Sequence, residues 1–326
     1  MIRKLLTCVI ALALLLGGCA QGGEQYSVTY LELFDTVTTI TGSAHSRQAF
    51  DKLVEPIHAR LKGYHRLFDI YKEYPNLHNL KTVNDMAGVA PVTVGPAIIA
   101  LLKDCVAYYD MTGGKVNVAM GAVLSLWHEA RENGTLPDAT ALRSAAEHGN
   151  IQDIIIDEAA STVYLADPLM SLDVGAVAKG WAAEQVAKTA PAGLLINLGG
   201  NVRATGEKSG GRPWTVGVQN PHGEGYLCKT ELKTGSIVTS GDYQRTYQVE
   251  GKSYHHIIDP ETLYPSEYWS SVTIYCADSA MADALSTALF LLPREEGQAL
   301  LNQCQAQALW VDKDGNTFQS PDFPIE

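Results

Sequence analysis

The chain has 326 residues, 46% of them hydrophobic and 18% charged, enough apolar content for one large domain or two closely packed lobes with a real core. Acidic residues outnumber basic ones, 36 to 24, and the formal net charge is −12. An acidic chain without basic clusters argues against nucleic-acid binding, which needs Lys and Arg to replace phosphate counterions. It also leaves an anionic ligand dependent on a metal ion or on helix N-termini.

The first element is a leader. Arg3 and Lys4 precede an uncharged apolar run over residues 5–16, too short for the about 20 residues that a membrane-spanning helix needs. A short apolar run behind basic residues and before small ones reads as a signal peptide, here residues 1–18. Leu16-Gly17-Gly18-Cys19 looks like a lipobox, with Cys19 as the lipidation site. Residues 19–26 then form a short polar tether, and 27–326 the folded domain. No later segment is long and apolar enough to span a bilayer, so a lipid anchor is the expected membrane attachment. It places the domain on the extracytoplasmic side, periplasmic or extracellular.

Residues 28–41 alternate apolar and β-branched side chains and predict a strand. Residues 49–67 have helical spacing with Pro56 as a kink or boundary, and 71–92 are polar and irregular, a long surface loop. Helices follow at 96–109, 118–131 and 139–148. Beyond residue 150 the period shifts: a hairpin at 153–157 and 162–165, a helix at 177–189, and a buried strand at 194–198 ending in Gly199-Gly200. Further strands are expected at 214–218, 227–232, 237–240, 246–250 and 272–275, then helices at 279–292 and 295–304 and a last strand at 308–311. Helices mixed with mostly hairpin-connected strands argue for an α+β fold with antiparallel sheets flanked by helices.

Six cysteines are present, but Cys105, Cys228, Cys276 and Cys304 have no metal-like spacing. Disulfides and buried free thiols both remain open. Walker, dinucleotide-binding, zinc-protease and nucleophile-elbow signatures are absent.

Four stretches carry chemistry-bearing residues. In Ala282-Asp283-Ala284-Leu285-Ser286-Thr287, the i and i+4 positions put a carboxylate and a hydroxyl on one helix face. Two hard oxygens suit Mg²⁺; the plainer alternative is that Asp283 caps the helix and Thr287 bonds back to a carbonyl. In Asp173-Val174-Gly175-Ala176-Val177-Ala178-Lys179-Gly180-Trp181, a glycine-flanked turn enters a helix, so backbone groups and Lys179 can face an anion, or Lys179 is merely exposed. Tyr254-His255-His256-Ile257-Ile258-Asp259-Pro260 offers a proton acceptor near neutral pH, or a strand-edge histidine before a turn. Thr239-Ser240-Gly241-Asp242-Tyr243 ends a strand in small residues that let a ligand approach the backbone, or is simply a turn.

With Leu195-Ile196-Asn197-Leu198-Gly199-Gly200, and in this order, these stretches resemble the ApbE-type FAD:protein FMN transferases from Phe34 to about Leu292. The resemblance implies an enzyme that binds FAD as substrate together with Mg²⁺ and moves the FMN half onto a Ser or Thr hydroxyl of an acceptor protein. The product is a phosphodiester and AMP leaves. It further implies metal ligation by the Ala176 carbonyl, the Asp283 carboxylate and the Thr287 hydroxyl. FAD is expected against Phe34, Tyr71, Lys115, Val116, Asn117, Asp173, Lys179 and Ile257, with His256 deprotonating the acceptor hydroxyl. Asn117 stands where many relatives carry Asp, Trp181 where Tyr is common, and Phe34 where Met is common. The implied partners are flavinylated subunits of membrane redox complexes or exported flavoproteins. The same pocket would also serve an FAD pyrophosphatase, with water as nucleophile, or a non-catalytic FAD-binding lipoprotein.

Overall fold

A computed structural model describes residues 23–325; the leader and Cys19 lie outside the described residues. Strand β1 (Glu24–Leu33) begins within the stretch read as tether and turns into β2 (Thr36–Ala44). The single strand expected over 28–41 is therefore a hairpin. Its turn residues, Phe34 and Asp35, take φ of 52° and 51°, a left-handed geometry normally marked by Asn-Gly.

Helix α1 (Arg47–Phe68) starts where the Ser46 hydroxyl accepts the Ala49 N–H, and it runs through Pro56 without ending. Pro56 lies on the exposed side, whereas Phe50, Val54, Ile57 and Leu61 form the buried stripe that holds both halves in line. The stretch expected to be loop contains a short helix, α2 (Leu80–Asp85), closed by a reciprocal cap between Asn79 and Thr82. Then come β3 (Val92–Thr93), α3 (Pro96–Met111), α4 (Gly121–Asn133), α5 (Ala139–Ala146), β4 (Ile154–Asp157) and β5 (Thr162–Leu165). Strands β3, β5 and β4, in that order, make a small antiparallel sheet.

Helix α6 (Ala178–Ala187) leads to β6 (Leu194–Leu198) and β7 (Asn201–Ala204), followed by the β8 (Trp214–Gln219) and β9 (Tyr226–Leu232) pair. Strand β10 (Gly235–Gly241), the β11 (Tyr247–Val249) and β12 (Lys252–Tyr254) hairpin, and β13 (Trp269–Cys276) follow. The chain ends in α7 (Ser279–Phe290), α8 (Arg294–Leu301), β14 (Ala306–Asp312) and β15 (Thr317–Gln319). The main sheet has eight strands, ordered β1-β2-β6-β7-β10-β13-β14-β15, and every pairing in it is antiparallel. The α+β expectation holds.

Two apolar clusters position the site. Phe50, Leu61, Ile40 and Ile196 join α1 to one end of the sheet. Leu285, Leu289, Phe290 and Trp310 bury α7 against its middle and far strands. The Asp278 carboxylate caps α7 by accepting the Ala280 and Met281 N–H groups, so Asp283 is not the cap residue. No helix among the described residues is long and apolar enough to cross a membrane. Cys105, Cys228, Cys276 and Cys304 are all free thiols, with Cys105 and Cys276 buried.

Candidate active site

A cavity of about 460 Å³ opens between the α6–α7 pair, the β1–β2 turn and the segment that follows β12. All of the metal, flavin and proton-transfer residues expected from the sequence border it.

At its deep end lies Asp283, 4% exposed, on the second turn of α7. Its Oδ2 accepts the Gly180 backbone N–H at 2.8 Å. That bond needs α6 and α7 in contact, and only glycine permits it: a Cβ on Gly180 would stand 2.3 Å from the Ser279 carbonyl oxygen and 2.4 Å from the Asp283 Cβ. Burial pushes the Asp283 carboxyl up from its ordinary range, against the Lys179 charge and the Gly180 N–H. Asn201 lies beside it and also favours the anion, yet its Nδ2 falls short of a formed hydrogen bond and is buried without a partner. Lys179 makes no ion pair with Asp283; its Nζ donates to the Gly175 carbonyl at 3.4 Å.

A buried anion with no protein cation paired to it suits a metal ion. Thr287, one turn later on α7, and Ala176, in the turn entering α6, border the same cavity. No group of three or more His, Cys, Asp or Glu that could hold a metal exists among the described residues. One carboxylate, one hydroxyl and one carbonyl therefore fit Mg²⁺, which takes its remaining ligands from water and substrate phosphates, better than a transition metal. The Ala176 turn is itself fixed: the Asp173 carboxylate accepts the Gly175 N–H at 2.8 Å, and the Asp173 N–H donates to the Val118 carbonyl at 2.8 Å.

The rim is built differently. Phe34 sits in the hairpin turn, with its N–H donated to His65 Nδ1 at 3.1 Å. Tyr71 is 59% exposed, and its hydroxyl lies 2.9 Å from His128 Nδ1. It is aimed by Asp69, whose Oδ1 accepts the Tyr71 and Lys72 N–H groups in an Asx turn. Lys115 borders the cavity but is tied to Asp259 at 3.1 Å and Glu261 at 2.9 Å. Burial alone would lower its pKa; these two carboxylates outweigh that and raise it. Val116 is buried, and the Asn117 amide donates to the Gly149 carbonyl at 2.8 Å and accepts the Ala119 N–H at 2.9 Å. These two bonds tie Asn117 to the protein and shape the cavity wall.

The paired histidines, in the bend that follows β12, have different partners. His255 is buried and structural: Nε2 donates to the Ser266 carbonyl at 2.8 Å and Nδ1 accepts the Ile257 N–H at 3.2 Å. His256 faces the cavity beside Ile257. Its Nδ1 lies 3.2 Å from the Gln244 carbonyl oxygen. A carbonyl only accepts, so Nδ1 carries the proton and Nε2 presents a bare lone pair. Burial, then the charges of Arg245 and Lys179, lower the His256 pKa to about 3, which keeps the ring neutral but, until an anionic ligand offsets those charges, makes it a weaker base than the sequence pattern implied.

The remaining motifs are scaffolding around this space. Thr239 and Ser240 on β10 bond through their hydroxyls to Thr273 at 2.9 Å and Ser286 at 2.8 Å, locking β10 to β13 and α7. Gly199, at φ 58°, lies so close to Thr36 that a Cβ would overlap its hydroxyl. Sequence reasoning missed Asn201, Asp69, His65, His128, Gln244 and Arg245. The Asx turn at Asp69 and the position of Asn201 directly after Gly199-Gly200 were usable signals; Arg245 had none.

A family model described as the ApbE family matches residues 23–310. The chain is similar to an FAD:protein FMN transferase of Treponema pallidum, 36% identical over 244 residues that span 69% of this chain and 67% of the relative. It is 34% identical to an FAD:protein FMN transferase of Klebsiella pneumoniae over 270 residues, 78% of this chain and 84% of the relative. Among solved structures, the ApbE protein of Thermotoga maritima superposes with a TM-score of 0.83 at 28% identity, covering 91% of this chain and 97% of that one. The matched span contains the Asp283 end and the His256 end of the cavity alike, and the chain belongs to the ApbE family.

Proposed function

We propose that this chain is an FAD:protein FMN transferase that moves the FMN half of FAD onto a Ser or Thr hydroxyl of an acceptor protein. The observation that carries this is the bare Nε2 of a neutral His256 in the same cavity as the buried Asp283 carboxylate. A base for a hydroxyl and a seat for a phosphate-bound cation are the two requirements of the reaction.

The acceptor hydroxyl oxygen forms a bond to the FMN phosphorus, and the bond from that phosphorus to the bridging pyrophosphate oxygen breaks. The electron pair leaves with AMP, and the hydroxyl proton goes to His256 Nε2, a contribution of about 10²–10⁴ in rate. Gln244 holds the imidazole in the tautomer that can accept it. The Ala176 carbonyl, Asp283 and Thr287 would hold a Mg²⁺ ion, which would supply charge neutralisation on the pyrophosphate. Tyr71 and Phe34 offer aromatic surface to the flavin ring at the rim, and Asp173 and Lys179 fix the turn beneath it.

Incubation with FAD, Mg²⁺ and an acceptor protein tests the assignment. A covalent mass gain of one FMN on the acceptor is expected. Free FMN and AMP would make the chain a pyrophosphatase, and unchanged FAD would leave it a binding protein.

The lipobox Leu16-Gly17-Gly18-Cys19 supports a lipid anchor at Cys19 that holds the enzyme on the extracytoplasmic face. The acceptor is then a flavoprotein or redox-complex subunit exposed on that face. Cys19→Ala should release the protein from the membrane fraction; unchanged retention would overturn the anchor.

A further inference from the structure

Cationic side chains bordering the cavity are Lys72, Lys115, Lys179 and Arg245. Lys115 is held by two carboxylates, Lys179 reaches a carbonyl, and Lys72 sits exposed at the rim. Arg245 is exposed on its turn at the cavity mouth, and no side-chain hydrogen bond or ion pair holds it among the described residues. Its backbone is in the left-handed region, φ 49°, which costs a non-glycine residue about 1 kcal/mol or more and persists where surroundings demand it. The residue before it, Gln244, is the one whose carbonyl pins His256 Nδ1. One strained turn thus sets the tautomer of the base and, at the next residue, carries a guanidinium that lines the same cavity.

Arg245, Lys179, His256 and Asp283 all line this one cavity, and Arg245 directly follows Gln244, whose carbonyl holds the His256 ring. A ligand phosphate reaching from Asp283 to Nε2 of His256 would meet Lys179 and Arg245 as cations of the same lining. In an in-line displacement the nucleophile and leaving oxygens occupy opposite poles, and the non-bridging oxygens lie around the equator, where a cation beside the base meets them. A planar guanidinium fits two such oxygens at once, which an ammonium cannot do.

We propose that Arg245 is a further catalytic residue, its guanidinium gripping the non-bridging oxygens of the phosphoryl group as it passes to the acceptor. The role rests on the transferase assignment above, but the phosphate contact can be read separately. Arg245→Gln should fold normally, because the side chain has no protein partner to lose; thermal unfolding checks this. FMN and riboflavin differ only by the phosphate, so their affinities are compared by flavin fluorescence in wild type, Arg245→Gln and Arg245→Lys. Loss of one charge-assisted contact should cut the preference for FMN over riboflavin about tenfold while riboflavin binding is unchanged. At saturating FAD and Mg²⁺, transfer by Arg245→Gln should fall about 10²–10³-fold. Arg245→Lys should recover part of both, since it restores charge without the fork. An unchanged FMN preference overturns the proposal, whether transfer is normal or slow; slow transfer with intact preference would assign Arg245 to the acceptor. If the wild type fails to transfer at all, the transferase assignment falls, and the FMN preference still judges the phosphate contact.

Discussion

The two ends of the cavity are built on opposite principles. At the deep end, Asp283 and its Gly180 partner sit on helices packed so tightly that a single methyl group would not fit. At the rim, Phe34, Asp35 and Arg245 sit in turns with left-handed backbone, and Tyr71 is largely exposed. A point charge that must be held without water is fixed by buried helix backbone. The groups proposed to meet flavin and acceptor are carried on turns whose strain stays local. The difference teaches that substitutions at the two ends should fail in different ways, structurally at one and kinetically at the other.

The sharpest break is Asp283→Ala, which should remove several kcal/mol of transition-state stabilisation, ~10³-fold or more in rate. Asp283→Asn should be equally inactive yet no less stable, because it keeps an acceptor for the Gly180 N–H and removes a buried charge. Transfer rate against Mg²⁺ concentration, run beside thermal unfolding, separates the two effects.

His256→Asn should slow transfer about 10²–10⁴-fold with FAD affinity preserved. The pH dependence of folding gives a second reading. The His256 pKa is lowered from 6.5 to about 3 in the folded chain, so the unfolded chain binds a proton that the folded one refuses. Stability is therefore undiminished above the ordinary histidine value and drains as pH falls from there toward 3. Denaturant titrations of His256→Asn should show a flatter acid limb, and NMR should find the wild-type ring neutral at pH 5.

Gly180→Ala drives a Cβ into the α6–α7 contact and should cost about 1–3 kcal/mol or more of stability, with weakened metal dependence, because Asp283 must move. A calorimetric melt with normal stability would show that the two helices can separate. Thr287→Ala removes a neutral hydroxyl and should raise the Mg²⁺ requirement about tenfold, with rescue by excess metal. The smallest effect belongs to the rim: Asp35→Gly relieves a left-handed φ of 51° and should change stability by less than about 1 kcal/mol.

Much of the deep end was legible in sequence, because its geometry is helical. Asp283 and Thr287 are one turn apart on any helix, and the helices from α3 onward lie within a few residues of their periodic signals. The rim was less legible. The β1–β2 turn uses Phe-Asp at a place where Asn-Gly would have announced a hairpin, so the alternation reads straight across it. Helix α2 is too short for periodicity to detect, although the Asn79–Thr82 cap marks its start. Strands β3, β7, β12 and β15 are short and were not expected, and the neighbours of β10, namely β7 and β13, are set by tertiary pairing that no local pattern encodes. Arg245 illustrates the limit: its place beside His256 depends on a turn, a carbonyl and a fold.

The unpaired thiols carry a consequence for where such an enzyme can work. Burial raises the pKa of Cys105 and Cys276, and partial burial does the same for Cys228 and Cys304. The thiolate is the form that oxidants and disulfides attack, and here it is suppressed at every described cysteine. On an oxidising cell face the chain would reach its native state without an oxidase and keep it without a reductase.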